Sequence, residues 1–254
     1  MTITIENAIA TLTFNRPDVL NALSTEVVTE ALDAAAQLED DDRVRVIIAT
    51  GAGRSFIAGA DIAEMLKKNT AQARTYSELG HRLMNSFQQM PKPVIAAING
   101  FCLGGGMEVA LACDIRLASE RARFGLPETI LGIIPGWGAT QRSARLIGTA
   151  LTKELIFTGE HITAQRALEM GLVNRVIAHE GLMPVAMSMA HSMCRQGSIA
   201  LAHAKQAINR GVDQTLAEGC TTEINAFVEC FETEDRREGM QAFLEKRTPK
   251  FTGK

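Results

Sequence analysis

The sequence predicts an α/β fold with parallel strand pairing, and three observations carry that expectation. Short apolar runs at 44–49 and 94–98 are nearly continuous, as in strands buried on both faces. Helix-spaced segments alternate with them through the first half of the chain. Glycine-rich turns join strand to helix at TGAGRSFIAGAD and at FCLGGGME.

In chain order, Thr2–Glu6 and Ile9–Phe14 read as a hairpin around Asn7, closed by the Asn15-Arg16-Pro17 break. Ser24 is an N-cap candidate for a helix carrying Val27, Ala31, Ala35 and Leu38 on one face, ended by the acidic run Glu39–Asp42. The strand Val44–Ala49 leads into the first glycine-rich turn, a helix entered near Asp61 and a polar helix running to about Met90. Pro91 and Pro93 stop that helix. Val94–Ile98 is the next buried strand, followed by the triple-glycine turn, a short apolar helix, a strand at Asp114–Ala118 and an extended loop at ARFGLPE. Helices dominate from Gly138, and Val173–Ile177 is the last expected strand. A helical tail begins near Ser198, with Leu201, Lys205, Ile208, Leu216, Ile224 and Phe227 at helical spacing.

Composition narrows the function classes. Hydrophobic residues make up 46% of 254 and charged residues 22%, ordinary globular usage that excludes a disordered or collagen-like chain. Lys and Arg total 26 against 29 Asp and Glu, a formal charge of −3, which argues against a dedicated nucleic-acid binder. Five cysteines without a C-x-x-C pair fit free thiols in a reducing compartment. No run approaches the roughly 20 apolar residues of a membrane span, and the first residues lack the pattern of a signal or transit peptide. The expectation is a cytoplasmic protein without a membrane span.

The two glycine-rich turns are the strongest chemical signals. A helix start leaves backbone N–H groups unpaired with partial positive charge, and glycine lets another group approach them. Such a turn suits a phosphate or a developing oxyanion; tight helix–strand packing explains Gly104–Gly106 equally well. Glu108 lies in an otherwise apolar helix and Glu128 in an apolar loop, environments that raise a carboxyl pKa. Two such groups meeting in space could share acid–base work, and a salt bridge for Glu108 with a solvated Glu128 is the plainer alternative. The five histidines show no metal-ligand spacing, and no G-x-S-x-G elbow is present.

Five segments in this order, FNRPDVLNAL, SFIAGADIAEM, KPVIAAINGFCLGGGMEVALACDIRLAS, ARFGLPETILGIIPGWGATQR and DRREGMQAFLEKRTPKF, resemble the crotonase (enoyl-CoA hydratase/isomerase) superfamily nearly end to end. The resemblance implies a spiral of β-β-α repeats over 1–197 holding a coenzyme A thioester. It also implies a helical region over 198–254 that builds homotrimers, commonly paired into hexamers, and closes the coenzyme A site. It places oxyanion-hole donors at the N–H groups of Ala60 and Gly105, and the adenine-amino acceptor at the Ala58 carbonyl. Val19, Leu20, Arg54, Asp61, Ile62, Phe227, Phe243 and Lys246 fall at substrate or coenzyme A positions, and Trp137 at the acyl pocket or as a plug of the adjoining core. Glu108 and Glu128 match the two glutamates of the hydratase branch, Glu108 to activate water and Glu128 to protonate Cα. No metal or redox cofactor is implied, since coenzyme A enters as part of the substrate. Two departures stand out: Asp18 and Ala63 occupy positions where the family often has lysine, leaving Arg54 and Lys246 for the phosphates. The resemblance alone leaves a Δ3,Δ2-enoyl-CoA isomerase, an acyl-CoA hydrolase and a non-catalytic or RNA-binding relative as alternatives to a trans-2-enoyl-CoA hydratase.

Overall fold

The computed structural model describes residues Met1–Lys254. Its strands are β1 (Thr2–Glu6), β2 (Ile9–Phe14), β3 (Val46–Gly51), β4 (Ser55–Ile57), β5 (Val94–Ile98), β6 (Phe101–Leu103), β7 (Ile115–Ser119), β8 (Arg123–Gly125), β9 (Ile162–Thr163) and β10 (Arg175–Ile177). Its helices are α1 (Thr25–Asp40), α2 (Ile62–Met65), α3 (Thr70–Gln89), α4 (Gly105–Ala112), α5 (Ala139–Thr158), α6 (Ala164–Glu169), α7 (Leu182–Cys194), α8 (Ser198–Gly211), α9 (Leu216–Phe231) and α10 (Glu234–Leu244).

Strands come in pairs that part company. β3, β5 and β7 lie in a six-stranded sheet of order β1-β2-β3-β5-β7-β10, while β4, β6 and β8, each following its pair-mate, lie in a second sheet of order β4-β6-β8-β9. Pairing is parallel except for the β1–β2 hairpin and β8–β9. This is the expected β-β-α spiral. The short second-sheet strands escape a reading of apolar runs: β4, β6 and β8 have three residues each, and β8 lies inside the expected extended loop. The strand expected at Asp114–Ala118 runs one residue later, Ile115–Ser119, and the Asp114 carboxylate just before it accepts from the Val94 N–H at 2.7 Å and the Lys205 ammonium at 2.8 Å.

Alternation along β3 explains why its sequence looks continuously apolar. Ile47 and Ala49 join the main core with α1, α3 and α4, whereas Val46 and Ile48 pack with Leu182, Ala186 and Ala190 of α7 on the opposite face. The Ser24 cap forms as expected, its hydroxyl accepting from the Val27 N–H at 3.3 Å. Asn69 and Gln72 make a reciprocal capping box that starts α3 after the short α2.

The tail is tied to the core through Lys205. Its buried ammonium donates to the Phe87 and Lys92 carbonyls at 3.0 and 3.1 Å as well as to Asp114. The other tail positions read from helical spacing behave differently: Ile208, Leu216, Ile224 and Phe227 are exposed on the single chain. No helix is long and apolar enough to cross a membrane.

Candidate active site

The first turn is held by a brace that begins at Arg16, whose N–H donates to Asn21 Oδ1 at 2.8 Å. Leu20 and Asn21 adopt left-handed backbone conformations, and the buried Asn21 amide donates to the carbonyls of Ala52, Ser55 and Phe56 at 2.8–3.1 Å. The Ala58 N–H then donates to the Leu20 carbonyl, and Leu23 exchanges bonds with Gly59 and Asp61. Asp61 caps α2, accepting from the Glu64 N–H at 3.2 Å. These bonds leave the Ala60 N–H without a backbone partner.

The second turn starts at Gly104 (φ 50°, ψ −121°), a conformation that glycine tolerates. A Cβ there would lie 3.0 Å from Glu128 Oε1. Gly105 opens α4, so its N–H belongs to the unpaired first turn of the helix. A Cβ on Gly105 would stand 3.6 Å from the Ala60 nitrogen, which measures how closely the two turns approach. Gly106 brings α4 against β4, its missing side chain making room for the Ile57 carbonyl.

One turn into α4, Glu108 is 2% exposed. Its Oε1 accepts from the backbone N–H groups of Trp137 at 2.7 Å and Ala139 at 3.0 Å. Burial raises its pKa above the ordinary carboxylate value, opposed by these two bonds and by the Arg142 charge. Glu128 sits in a 3-10 turn, Pro127–Leu131. Burial, and secondarily the Glu108 charge, push its carboxyl up to about 7. Its Oε2 is buried without a hydrogen-bond partner.

Both carboxyls line one cavity of about 410 Å³, bounded by Ala58–Ala60, Gly104 and Gly105 on the turn side and by Ile62, Met65, Tyr76, Ile130, Ile134 and Trp137 beyond. An apolar, half-enclosed space with two convergent carboxyls and two free N–H groups can polarise a carbonyl oxygen and move protons on either side of it. Trp137 is 3% exposed yet lines this cavity, so the core plug and the pocket wall are one arrangement. Tyr76, Ser77, Met65 and Lys68 also line it and were not singled out from sequence.

Residues 4–254 match the family described as enoyl-CoA hydratase/isomerase. The chain belongs to that family. It is 46% identical over 243 residues to the short-chain-enoyl-CoA hydratase of Clostridium acetobutylicum, covering 95% of this chain and 93% of that protein. It is 43% identical to the crotonyl-CoA hydratase of Syntrophomonas wolfei, covering 98% and 96%. A crystal structure of enoyl-CoA hydratase from Bacillus anthracis superposes with a TM-score of 0.96 at 42% identity, covering 100% of this chain and 99% of that one.

Within this enoyl-CoA hydratase/isomerase chain, the residues expected at the site fall into two groups. Ala58, Ala60, Ile62, Gly105, Glu108, Glu128 and Trp137 line the cavity, and Asp61 and Leu20 brace its first turn. Val19 and Arg54 lie outside it and are exposed. Phe227 lines a separate groove between α8 and α9, Phe243 is 83% exposed on α10, and Lys246 follows α10 with a left-handed backbone. The single chain brings none of these last three to the cavity.

Proposed function

We propose that this protein is an enoyl-CoA hydratase adding water syn across a trans-2-enoyl-CoA to give 3-hydroxyacyl-CoA, with Glu108 and Glu128 as the catalytic pair. The observation that carries the reading is the meeting of a buried and a half-buried carboxyl, both raised in pKa, in one apolar cavity beside the free Ala60 and Gly105 N–H groups.

The chemistry follows from the placement. The thioester oxygen accepts from the Ala60 and Gly105 N–H groups, which favour the enolate by about 3 kcal/mol per donor if they act as other oxyanion donors do. Glu108, whose anion is favoured by two backbone donors, takes a proton from water as the oxygen bonds to Cβ. Glu128, whose carboxyl burial pushes up to about 7 so that it keeps its proton below neutrality, gives that proton to Cα. The reaction adds one water in total, and proton exchange with solvent resets both carboxyls. Coenzyme A arrives on the substrate, and no step calls for a separate metal or redox cofactor.

Homotrimers, or dimers of trimers, belong to the same reading. Exposed Ile224, Phe227 and Val228 on α9 offer an apolar face for a neighbour, and Phe227, Phe243 and Lys246 would then close over coenzyme A from the tail. Unpaired thiols suit a cytoplasmic setting, and a fatty-acid β-oxidation role suits the substrate.

The test is hydration of crotonyl-CoA, followed by loss of the conjugated enoyl absorbance and identification of the product. Appearance of 3-hydroxybutyryl-CoA supports the reading, with Glu108→Gln lowering kcat by about 10²–10⁴-fold. Double-bond migration without net hydration, or release of free coenzyme A, would replace the hydratase with an isomerase or a hydrolase.

A further inference from the structure

We infer that helix α3 is the positioning element for the water-activating carboxylate, through Ser77 and Gly80, which hold the Gly136–Trp137 segment against Glu108. The inference rests on the assignment of Glu108 above. Trp137 serves Glu108 with its backbone N–H, at 2.7 Å from Oε1, so the carboxylate is only as well placed as the Trp137 backbone.

Three contacts from α3 fix that backbone. The Ser77 hydroxyl donates to the Gly136 carbonyl at 2.7 Å. The indole N–H of Trp137 donates to the Tyr76 carbonyl at 3.2 Å, with the two rings edge to face at 5.0 Å. Gly80 contributes an absence: a Cβ there would lie 2.1 Å from the indole Cδ1 and Nε1. The ring has little room to retreat, because a Cβ on Gly105 would already be 2.7 Å from its Cζ3. The indole thus occupies space left by two glycines, one in α3 and one at the oxyanion turn. A side chain at position 80 must displace the ring, and the ring is anchored to the backbone whose N–H meets Glu108.

Position and proton affinity move together here. The two backbone donors favour the charged form of Glu108, so weakening one of them raises its pKa. The other groups facing Glu108 are Arg142 from α5, Glu128 from the 3-10 turn and Tyr76 from α3 itself. None of them is itself substituted in Ser77→Ala or Gly80→Ala.

The experiment measures crotonyl-CoA hydration across pH for Ser77→Ala and Gly80→Ala, each also in a Trp137→Ala background. Loss of the single Ser77 bond should lower kcat about fivefold. Displacement of the indole by Gly80→Ala should lower it roughly 10²-fold, as catalytic misplacement of about 1 Å does. The effect should fall on kcat more than on KM, and the acid limb of the profile should move to higher pH while the alkaline limb, set by Glu128, stays. In the Trp137→Ala background, Gly80→Ala should have no further effect, since the ring it displaces is gone. Unchanged kcat in a folded variant, a fall in kcat without movement of the acid limb, or a full Gly80→Ala effect without the indole would each overturn the inference. Should Gly80→Ala not fold, Ser77→Ala decides by the same readouts. Glu108→Gln separates the two levels: if it remains active the catalytic assignment fails, and if it is inactive while both α3 variants behave as wild type, only the positioning role fails.

Discussion

Glu128→Gln should make the protein more stable at pH 8 relative to wild type than it does at pH 4.5, while removing most of its activity. The folded-state pKa is about 7 and the ordinary glutamate value 4.5, and burial is the main cause of the difference. A carboxyl raised in the folded state contributes stability that is fully present below the unfolded pKa. That stability is lost as pH rises through the folded pKa, because the folded protein must then bury an anion. The difference between about 7 and 4.5 corresponds to about 3 kcal/mol. An amide keeps the shape and has no charge to bury, so wild type should lose this amount between pH 4.5 and pH 8 and the variant should not. Urea unfolding of both proteins at several pH values measures the difference, with Glu108 and every other titrating group common to both. In the same variant kcat should fall by about 10²–10⁴-fold. For wild type, kcat/KM should decline above an apparent pKa near 7. Parallel stability–pH curves for wild type and variant would refute the reasoning, because they would show that the proton held near neutrality is not on Glu128.

Three further outcomes are expected. Trp137→Ala should shift the chain-length optimum of kcat/KM toward longer enoyl groups, each added methylene gaining about 0.8 kcal/mol once the indole is gone; it should also cost about 3–5 kcal/mol of stability as a large buried ring is lost. An unchanged profile across acyl-CoA substrates would confine Trp137 to the core. Lys246→Ala should raise KM for acyl-CoA more than for acyl-pantetheine, which lacks the ribose phosphate; equal changes would remove Lys246 from the phosphate site. Lys205→Ala should destabilise by about 3–5 kcal/mol, because the partly buried Asp114 carboxylate loses its cation and two core carbonyls lose their donor; a change below about 1 kcal/mol in chemical unfolding would contradict this.

Much of the fold was legible because the large-sheet strands are long enough for pattern to speak. β3 and β5 appear as apolar runs since α7 covers one face and the main core the other. The second sheet was not legible from pattern, because three-residue strands carry no periodicity. Glu108 and Glu128 were legible as misfits, charged residues among apolar neighbours, although nothing local says that they face the same space. Tyr76, Ser77 and Gly80 were not legible: they lie about 60 residues from Gly136 and Trp137 in sequence, and only the folded helix brings them there. The tail was legible only in part. Helical spacing marks Ile208, Leu216, Ile224 and Phe227 as apolar faces, but it does not say that those faces lie outside the chain's own core.

The division of labour between the two carboxyls follows from what each one touches. Burial alone would raise both and leave their roles interchangeable. Glu108 Oε1, however, receives two backbone N–H bonds, and Arg142 adds a favourable charge, so its anion is compensated within the protein. Glu128 Oε2 receives none, and the nearby Glu108 charge further disfavours its ionisation. If one proton is available to the pair, it therefore resides on Glu128. Water addition needs this asymmetry, an anion to accept a proton on one side and an acid to supply one on the other. The anion's compensation comes from the backbone at Trp137 and Ala139, so the base is maintained by the loop that walls the cavity. A substitution at Trp137 that enlarges the cavity and lets this backbone shift should therefore change both the chain-length profile and the proton affinity of Glu108.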